Sequence, residues 1–131
     1  MTKNTRPLKG VRILDMSRIL AGPTCTQILG DLGADIIKIE RPGVGDDTRK
    51  WGPPFVKDAG KKDTTESAYY LCSNRNKRSL TLDITKKEGQ KILRGLAGKC
   101  DVLIENYKVG SLKRYGLDYS TMKLEFPNLI N

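Results

Sequence analysis

The stretch VRILDMSRILAGPTCTQILGDLGADIIKIERPGVGDDTR, residues 11–49, decides the fold of this chain. Its two apolar runs, at residues 11–16 and 35–40, have the composition of buried strands. Between these runs, Pro23 suits the first turn of a helix and Gly33 suits the position that ends one. Two strands joined by one helix form a right-handed βαβ unit, and such units build parallel sheets.

The rest of the chain continues this alternation of strands and helices. The first helix has residues at helical spacing: Thr24, Ile28, Leu29 and Leu32. A second helix is predicted at residues 86–98, with Thr85 as its N-cap and Ile92, Leu93, Leu96 and Ala97 on one face. The other predicted elements are strands at 80–84 and 101–105, short helices at 67–72 and 119–124, and a strand that opens at 129–131. The pattern predicts an α/β fold with a parallel sheet flanked by helices.

A long connection rich in proline and glycine is predicted at residues 41–67. Loops of this length within one domain are usually functional or disordered. We expect Trp51 and Phe55 to fix the first half of the connection. Residues 57–65 are charged and small, so we expect them to form its mobile part.

The composition excludes several classes of protein. The chain has 131 residues, of which 37% are hydrophobic, and this suffices for the core of one domain. No apolar run approaches the roughly 18 residues of a membrane span. Residues 1–9 lack the apolar segment of a secretory signal. Because the chain has no histidine, it contains no Ser-His or Cys-His catalytic pair, and we expect no metal site.

The cysteines and the net charge bear on the compartment and the partners. Cys25, Cys72 and Cys100 are far apart in the sequence, which predicts reduced, buried thiols. We therefore expect the cytoplasm, or the mitochondrial matrix if a presequence precedes the chain. The formal net charge of +9 calls for an anionic partner or a solvated basic surface.

Polar groups follow three of the predicted parallel strands. Residues 17–20 follow the first strand, Arg41 follows the second, and Asn106, Tyr107 and Lys108 follow the strand at 101–105. Ligands bind at the carboxyl ends of the strands in open α/β sheets. Cations at this edge pair well with phosphate oxygens. The sequence therefore predicts a site for a phosphorylated nucleotide at this edge.

Other motifs are less specific. Residues 43–48, GVGDDT, resemble a dinucleotide-binding fingerprint, but they follow the second strand and lack the third glycine, so a tight turn is favoured. Residues 74–78, NRNKR, place three cations before a strand, and both a solvated loop and a phosphate contact remain open. Spacing selects no catalytic carboxylate, and caps, turns or solvated charges explain most of Asp15, Asp31, Asp46, Asp47 and Asp83.

Five motifs together resemble the N-terminal part of the family III CoA-transferases, the family of formyl-CoA and carnitine CoA-transferases. They occur in the family's order between Pro7 and Asn131: PLKGVRILDMSRILAGP, GDLGADIIKIERPGVGDDTR, NRNKRSLTLDI, CDVLIENYKVGSLKRYGLDY and FPNLI. The segment DDTRKWGPPF is similar to the succinyl-CoA:glutarate (hydroxymethylglutarate) branch. Residues 18–20 depart from the formyl-CoA enzymes, which are more often polar there.

The resemblance implies a Rossmann-like large domain, of which residues 1–131 would be the N-terminal part, and an interlocked homodimer. It implies transfer of CoA from an acyl-CoA donor, succinyl-CoA in the branch named, to a free carboxylic acid. In the family, an aspartate forms a mixed anhydride and then an aspartyl-CoA thioester. That aspartate lies beyond the position of Asn131, and no aspartate of this chain matches it. We therefore expect residues 1–131 to have no turnover alone, and the native protein to be about three times heavier.

The resemblance also implies which residues contact coenzyme A, the substrate. It implies no permanently bound cofactor and no nucleic acid or membrane partner. The implied contacts are Leu20, Ala21, Arg41, Leu82, Asp83, Ile84, Thr85, Asn106, Tyr107, Lys108 and Arg114.

Two alternatives belong to other functional classes. One is a truncated, non-catalytic remnant that binds nucleotides. The other is a small basic nucleic-acid-binding domain, which only the net charge of +9 favours.

Overall fold

A four-stranded parallel sheet lies at the centre of the structure, a computed structural model that describes residues 6–131. In chain order the elements are β1 (Arg12–Asp15), α1 (Ala21–Asp31), β2 (Asp35–Glu40), β3 (Phe55–Lys57), β4 (Asp63–Ser67), α2 (Ala68–Cys72), β5 (Lys77–Thr81), α3 (Lys87–Ala97), β6 (Val102–Ile104) and α4 (Tyr119–Glu125). Short 3₁₀ turns lie at Asp47–Lys50 and Lys113–Tyr115.

The strand order in this sheet is β5-β2-β1-β6. Ile13 of β1 lies opposite Ile36 of β2 and Val102 of β6, and all three pairings in the sheet are parallel. The chain thus builds the sheet in one direction from β1 and then returns to the other side of β1, as in half of a Rossmann fold. The predicted α/β fold with a Rossmann-like parallel sheet is confirmed. Ile130 forms an isolated parallel bridge with Val102, where the sequence predicts that a strand opens.

The sheet divides the core because alternate strand residues face opposite sides. Ile13 and Ile36 face α1 and pack with the half-buried Leu29. Leu14 and Leu93 belong to the larger cluster on the other side, which α3 and α4 cover. This larger cluster consists of Leu14, Met16, Ile37, Ile39, Leu82, Leu93, Ala97, Leu103, Leu112, Leu117, Met122 and Leu129.

Helix α1 has the predicted ends but buries a polar face. The chain leaves the helix at Gly33, whose φ of +106° suits glycine. Ile28 is 53% exposed, whereas Thr26 is fully buried. The Thr26 hydroxyl donates to the Asp15 carboxylate, with an O···O distance of 2.6 Å. A buried acceptor at the end of β1 therefore decides which face of the helix points inward.

The long connection at residues 41–67 contains regular structure that the sequence did not predict. It holds a 3₁₀ turn and the antiparallel hairpin of β3 and β4. The segment 57–65, predicted as the mobile part, includes the turn of this hairpin and most of β4. Trp51 packs edge-on against Tyr69 of α2, with ring centroids 5.6 Å apart.

The strand predicted at 80–84 is displaced. Strand β5 begins at Lys77 and ends at Thr81, because it pairs with β2 from Ile36 to Glu40. The residues that follow form a turn, in which the Thr85 hydroxyl donates to Asp83 at 2.6 Å.

The predictions for α3 also need two corrections. Thr85 is not its N-cap, because that position belongs to Lys86. Ile92 lies at 51% exposure, outside the buried face that contains Leu93. The prediction of buried thiols is wrong for Cys25 and Cys72, which are both exposed.

None of the helices within residues 6–131 combines the length and apolar character that crossing a bilayer requires.

Leu93 provides a test of the core beneath the sheet. Its side chain is fully buried, so Leu93→Ala should lower the free energy of unfolding by about 2–5 kcal/mol. Leu124→Ala is the matched control, because Leu124 is 88% exposed and its truncation should change stability by less than about 0.5 kcal/mol. Urea denaturation measures both variants, and equal losses would contradict the assignment of Leu93 to the core.

Candidate functional site

A cavity of about 450 Å³ opens at the carboxyl edge of the sheet. Its walls come from segments that follow the four parallel strands: Arg18 after β1, residues between 39 and 46 at the end of β2, residues 82–85 after β5, and Tyr107 after β6. It lies at the edge where open α/β sheets bind ligands.

Two arginines of the cavity wall share one carboxylate. Arg18 Nη1 lies 2.9 Å from Asp47 Oδ2, and Arg41 Nη2 lies 2.6 Å from Asp47 Oδ1. The Arg18 guanidinium also lies over the Tyr107 ring, 5.2 Å from its centroid. Two guanidiniums share one counter-ion on this side of the cavity, which favours an anionic ligand there, although Asp83 also lines the cavity.

A buried ion pair between Lys38 and Asp46 lies next to the cavity wall. Lys38 of β2 and Asp46 are 1% and 0% exposed in their side chains, and Lys38 Nζ lies 2.9 Å from Asp46 Oδ2. Burial alone would raise the pKa of Asp46, but hydrogen bonds from Thr48 and Lys38 lower it below its usual value. Asp46 is therefore charged at neutral pH, as its pairing with Lys38 requires.

The same pair fixes the segment that follows β1. Lys38 Nζ donates to the carbonyl of Ser17 at 3.0 Å, and the amide of Ile19 donates to Asp46 Oδ1 at 3.2 Å. Ile19 has a φ of +71°, an unfavourable conformation for a β-branched residue. These bonds hold the backbone on both sides of Arg18.

Asn106 fixes Arg18 from the side of β6. The Arg18 amide donates to Asn106 Oδ1 at 2.9 Å, and Asn106 Nδ2 donates to the Arg18 carbonyl at 2.8 Å. The amide side chain thus ties the loops after β1 and β6 together. Asn106 does not line the cavity itself.

Glu40, the last residue of β2, lines the cavity and accepts hydrogen bonds from three other segments of the chain. Arg49 donates to both Glu40 oxygens, and Tyr70 and Ser79 each donate to Oε1 at 2.8 Å. Burial alone would raise the pKa of Glu40, but the hydrogen bonds from Arg49, Ser79 and Tyr70 lower it to about 2. The Arg49 guanidinium stacks on the Tyr70 ring, 3.6 Å from its centroid. Glu40 therefore joins the loop after β2 to α2 and β5.

Asp15 repeats this arrangement at the end of β1. It accepts bonds from Ser17 and Thr26, and its Oδ2 lies 3.2 Å from Lys77 Nζ. Burial outweighs the attraction of Asp15 and lowers the pKa of Lys77 to about 8. The lysine therefore remains mostly charged at pH 7.

The residues predicted as coenzyme contacts fall into two groups. Arg41, residues 82–85 and Tyr107 line the cavity. Lys108 lines a separate cavity beside Tyr119, and Arg114 stacks on Tyr115 at 4.7 Å. The predicted contacts that do not line the cavity of Arg18 and Tyr107 are Leu20, Ala21, Asn106, Lys108 and Arg114.

The glycine-bearing segment at 43–48 forms a turn, which the sequence favoured over a dinucleotide-binding fingerprint. The Gly45 amide donates to the Arg41 carbonyl at 3.0 Å, and Gly45 has a φ of +65°. A Cβ at Gly45 would lie 2.6 Å from Glu40 Oε2, so the turn also needs the missing side chain.

The basic segment at 74–78 does not line the cavity, although Lys77 reaches Asp15 at the carboxyl end of β1. Arg75 pairs with Asp31 at 2.5 Å, and Arg78 pairs with Asp35 at the opposite edge of the sheet at 2.7 Å. Its cations have carboxylate partners within the chain, which favours a structural role over a phosphate contact.

Several residues of the site are missing from the predicted contacts. Lys38 and Asp46 are buried, although the sequence favoured caps, turns or solvated charges for most of the aspartates. The signal for Lys38 was present, because a single lysine interrupts the apolar strand DIIKIE and buried lysines need a partner. Arg18 was grouped with residues 17–20, but its side chain was not singled out.

The profile of CoA-transferase family III matches residues 8–131. The chain belongs to CoA-transferase family III. Succinyl-CoA:glutarate CoA-transferase of Homo sapiens is 53% identical over 127 residues, which cover 97% of this chain and 27% of the human protein. Succinate–glutarate CoA-transferase of Agrobacterium fabrum is 46% identical over 130 residues, which cover 99% of this chain and 32% of that protein.

A solved structure has the same fold as this CoA-transferase family member. The crystal structure of a CAIB/BAIF family protein from Brucella suis matches with a TM-score of 0.87 and 48% identity. The match covers 96% of this chain and 32% of the Brucella chain. The resemblance drawn from the sequence motifs is therefore confirmed, and the chain spans about a third or less of these relatives' length.

Glu40 predicts a specific pH dependence of stability. A pKa lowered from 4.5 to about 2 means that the Glu40 carboxylate stabilises the fold fully above pH 4.5, and that this stabilisation is lost as the pH falls towards 2. Glu40→Gln should therefore destabilise the protein at pH 7, by up to roughly 3 kcal/mol. The difference from the unsubstituted protein should shrink below pH 4.5.

Urea denaturation at several pH values measures this effect. Glu88→Gln is the control, because Glu88 is exposed in the first turn of α3 and its substitution should change stability far less than Glu40→Gln does. A constant difference between Glu40→Gln and the unsubstituted protein from pH 7 to pH 2 would refute the role of the Glu40 charge.

Proposed function

We propose that the protein transfers CoA from an acyl-CoA donor to a free carboxylic acid, and that this chain supplies part of the CoA site. The observation that supports this proposal most strongly is the cavity at the carboxyl edge of the sheet. Arg41, residues 82–85 and Tyr107 were assigned to CoA from sequence motifs alone, and they line this one cavity. Succinyl-CoA as donor and glutarate as acceptor are the substrates that the names of the human and Agrobacterium relatives favour.

The wall residues have the chemistry that a nucleotide thioester needs. The Arg41 guanidinium is suited to a phosphate oxygen, because it presents several donors in one plane. The Tyr107 ring offers a flat, half-buried face. Burial raises the pKa of Tyr107, so its hydroxyl stays protonated at neutral pH. Residues 82–85 form the turn that closes the cavity beside β5.

Leu20, Ala21, Asn106, Lys108 and Arg114 remain proposed CoA contacts of the complete site. Leu20 and Ala21 follow Arg18 directly, and Asn106 holds the Arg18 backbone. Lys108 is exposed just beyond Tyr107, where a long ligand would leave the cavity. Arg114 is exposed on the 3₁₀ turn that follows β6.

The covalent chemistry of the proposal needs a carboxylate nucleophile. A carboxylate nucleophile would attack the thioester carbonyl and expel CoA as a thiolate, which gives a mixed anhydride. The thiolate would return to form an enzyme-linked CoA thioester and release the donor acid, and the acceptor carboxylate would then repeat the exchange in reverse. Within residues 6–131, the carboxylates of Asp15 and Asp46 are already engaged by lysines. We assign the nucleophile to another part of the native protein, and residues 1–131 to the N-terminal part of its CoA-binding domain.

Two further proposals follow from the family. The first is that the native protein is an interlocked homodimer. The second is that it works in the cytoplasm or the mitochondrial matrix.

Nucleic-acid binding is the second candidate, and the net charge of +9 is the observation that favours it. In the structure, many cations have internal carboxylate partners, including Lys38, Arg49 and Lys77. The net charge of +9 already includes these pairs, so the charge alone does not separate a nucleic acid from an anionic nucleotide ligand.

Arg41 tests the proposed function directly. The full-length protein should convert succinyl-CoA and glutarate into glutaryl-CoA and succinate, as measured by mass spectrometry. Arg41→Gln should raise the KM for succinyl-CoA by about ten-fold or more, because it removes a charged hydrogen bond to the ligand. Arg75→Gln makes the same charge change at the far edge of the sheet, and its KM should stay within about two-fold.

Filter binding with labelled CoA and labelled duplex DNA separates the two candidates. The proposal predicts saturable CoA binding. It would be wrong if the protein bound DNA with a steep salt dependence, showed no competition by CoA and formed no glutaryl-CoA.

A further inference from the structure

Arg18 lines the cavity, and the contacts within the protein do not use all of the hydrogen-bond donors of its side chain. It lies at the carboxyl end of β1, between the loops that follow β2 and β6. Its guanidinium has five N–H donors. Within residues 6–131, the side chain donates one hydrogen bond, from Nη1 to Asp47. The Nε atom is shielded from solvent and has no hydrogen-bond partner in this described part of the chain.

An unpaired, shielded donor is costly in a folded protein, because it has lost its bonds to water. The cost is normally avoided by a protein acceptor or by a ligand. The neighbouring Asp47 does not meet this need, because its two oxygens are divided between Arg18 and Arg41. The wall therefore combines an unsatisfied donor with two guanidiniums that share a single carboxylate, although Asp83 also lines the cavity.

The backbone around Arg18 is also fixed in an unusual way. Asn106 binds both the amide and the carbonyl of Arg18, and Asp46 binds the amide of Ile19. Ile19 adopts a φ of +71° in this arrangement. The loops after β2 and β6 thus hold Arg18 in place, and Tyr107 packs against its guanidinium. A side chain held this firmly at a ligand cavity loses little entropy on binding.

We propose that Arg18 and Arg41 form an arginine pair that binds one oxyanion of the acyl-CoA ligand. Asp47 serves as the shared counter-ion that sets the position of the two guanidiniums. The oxyanion is either a phosphate of CoA or the distal carboxylate of a dicarboxylic acyl group, since both present oxygens that match a guanidinium. The inference rests on the proposed function and adds Arg18 to the residues that determine ligand specificity.

Isothermal titration calorimetry on the full-length protein tests the inference through the salt dependence of Kd. Arg18→Gln should raise the Kd of succinyl-CoA by about ten-fold or more at low salt. It should also flatten the plot of log Kd against log salt, because one ion contact is lost. Arg18→Lys should recover part of the affinity, since it keeps the charge but loses the planar donors.

A control variant and a comparison of two ligands show which oxyanion causes the rise in Kd of Arg18→Gln. Arg75→Gln changes the net charge equally, at a distant edge, and should leave both Kd and slope near those of the unsubstituted protein. If the oxyanion is a phosphate, Arg18→Gln weakens CoA and succinyl-CoA equally. If it is the acyl carboxylate, only succinyl-CoA is weakened.

A purely structural role for Arg18 has a different result. Arg18→Gln would then raise Kd with an unchanged salt slope, or leave Kd unchanged, and either result overturns the inference. Failure of the proposed function is distinct, because the unsubstituted protein itself would then bind neither CoA nor succinyl-CoA.

Discussion

The ion pair between Lys38 and Asp46 is the interaction on which the candidate site depends. Both side chains are almost completely removed from water. Taking such charges into the protein costs several kcal/mol each, and the cost is offset only by close pairing and additional hydrogen bonds. Those additional bonds go to Ser17 and Ile19 after β1 and to Thr48 in the 3₁₀ turn. Because Lys38 and Asp46 are buried and need these partners, they fix the conformation of the loops after β1 and β2.

Asp15 and Glu40 follow the same rule at the ends of β1 and β2. Each carboxylate is buried and accepts several hydrogen bonds from other elements. The sheet supplies an apolar platform, and these carboxylates tie α1, α2 and β5 to its carboxyl edge. The result is a ligand cavity with firm walls at the place where a parallel sheet leaves room for one. A firm wall would suit the proposed thioester ligand, because the protein then loses less entropy on binding.

The sequence predicted the regular elements well where periodicity and glycine positions were strong. Strand β2 has the predicted limits, and Gly33 ends α1 as expected. The hairpin of β3 and β4 was not predicted, because its short strands are charged and mostly exposed and so lack an alternating pattern. The start of β5 was also missed, because Lys77 and Arg78 resemble a loop until their partners Asp15 and Asp35 are known.

The site was predictable only in part, for a related reason. Arg41 and Tyr107 follow strands directly, so the topology alone places them at the cavity. Lys38, Asp46 and Arg18 owe their roles to contacts with residues on other elements, and a sequence pattern does not show such contacts. The resemblance to the CoA-transferases suggests coenzyme A as the ligand, whereas the structure adds the network that fixes the loops around the cavity.

The most direct test of the account is an NMR titration of the ¹⁵N-labelled chain with CoA, with every backbone amide followed. The account predicts that the shifts cluster at the carboxyl edge of the sheet, in residues 17–20, 41–47, 82–85 and 106–108. Residues 74–78 at the amino edge should remain unchanged. Shifts concentrated at residues 74–78, or spread evenly over the chain, would contradict the claim that the cavity between the strand ends binds the coenzyme.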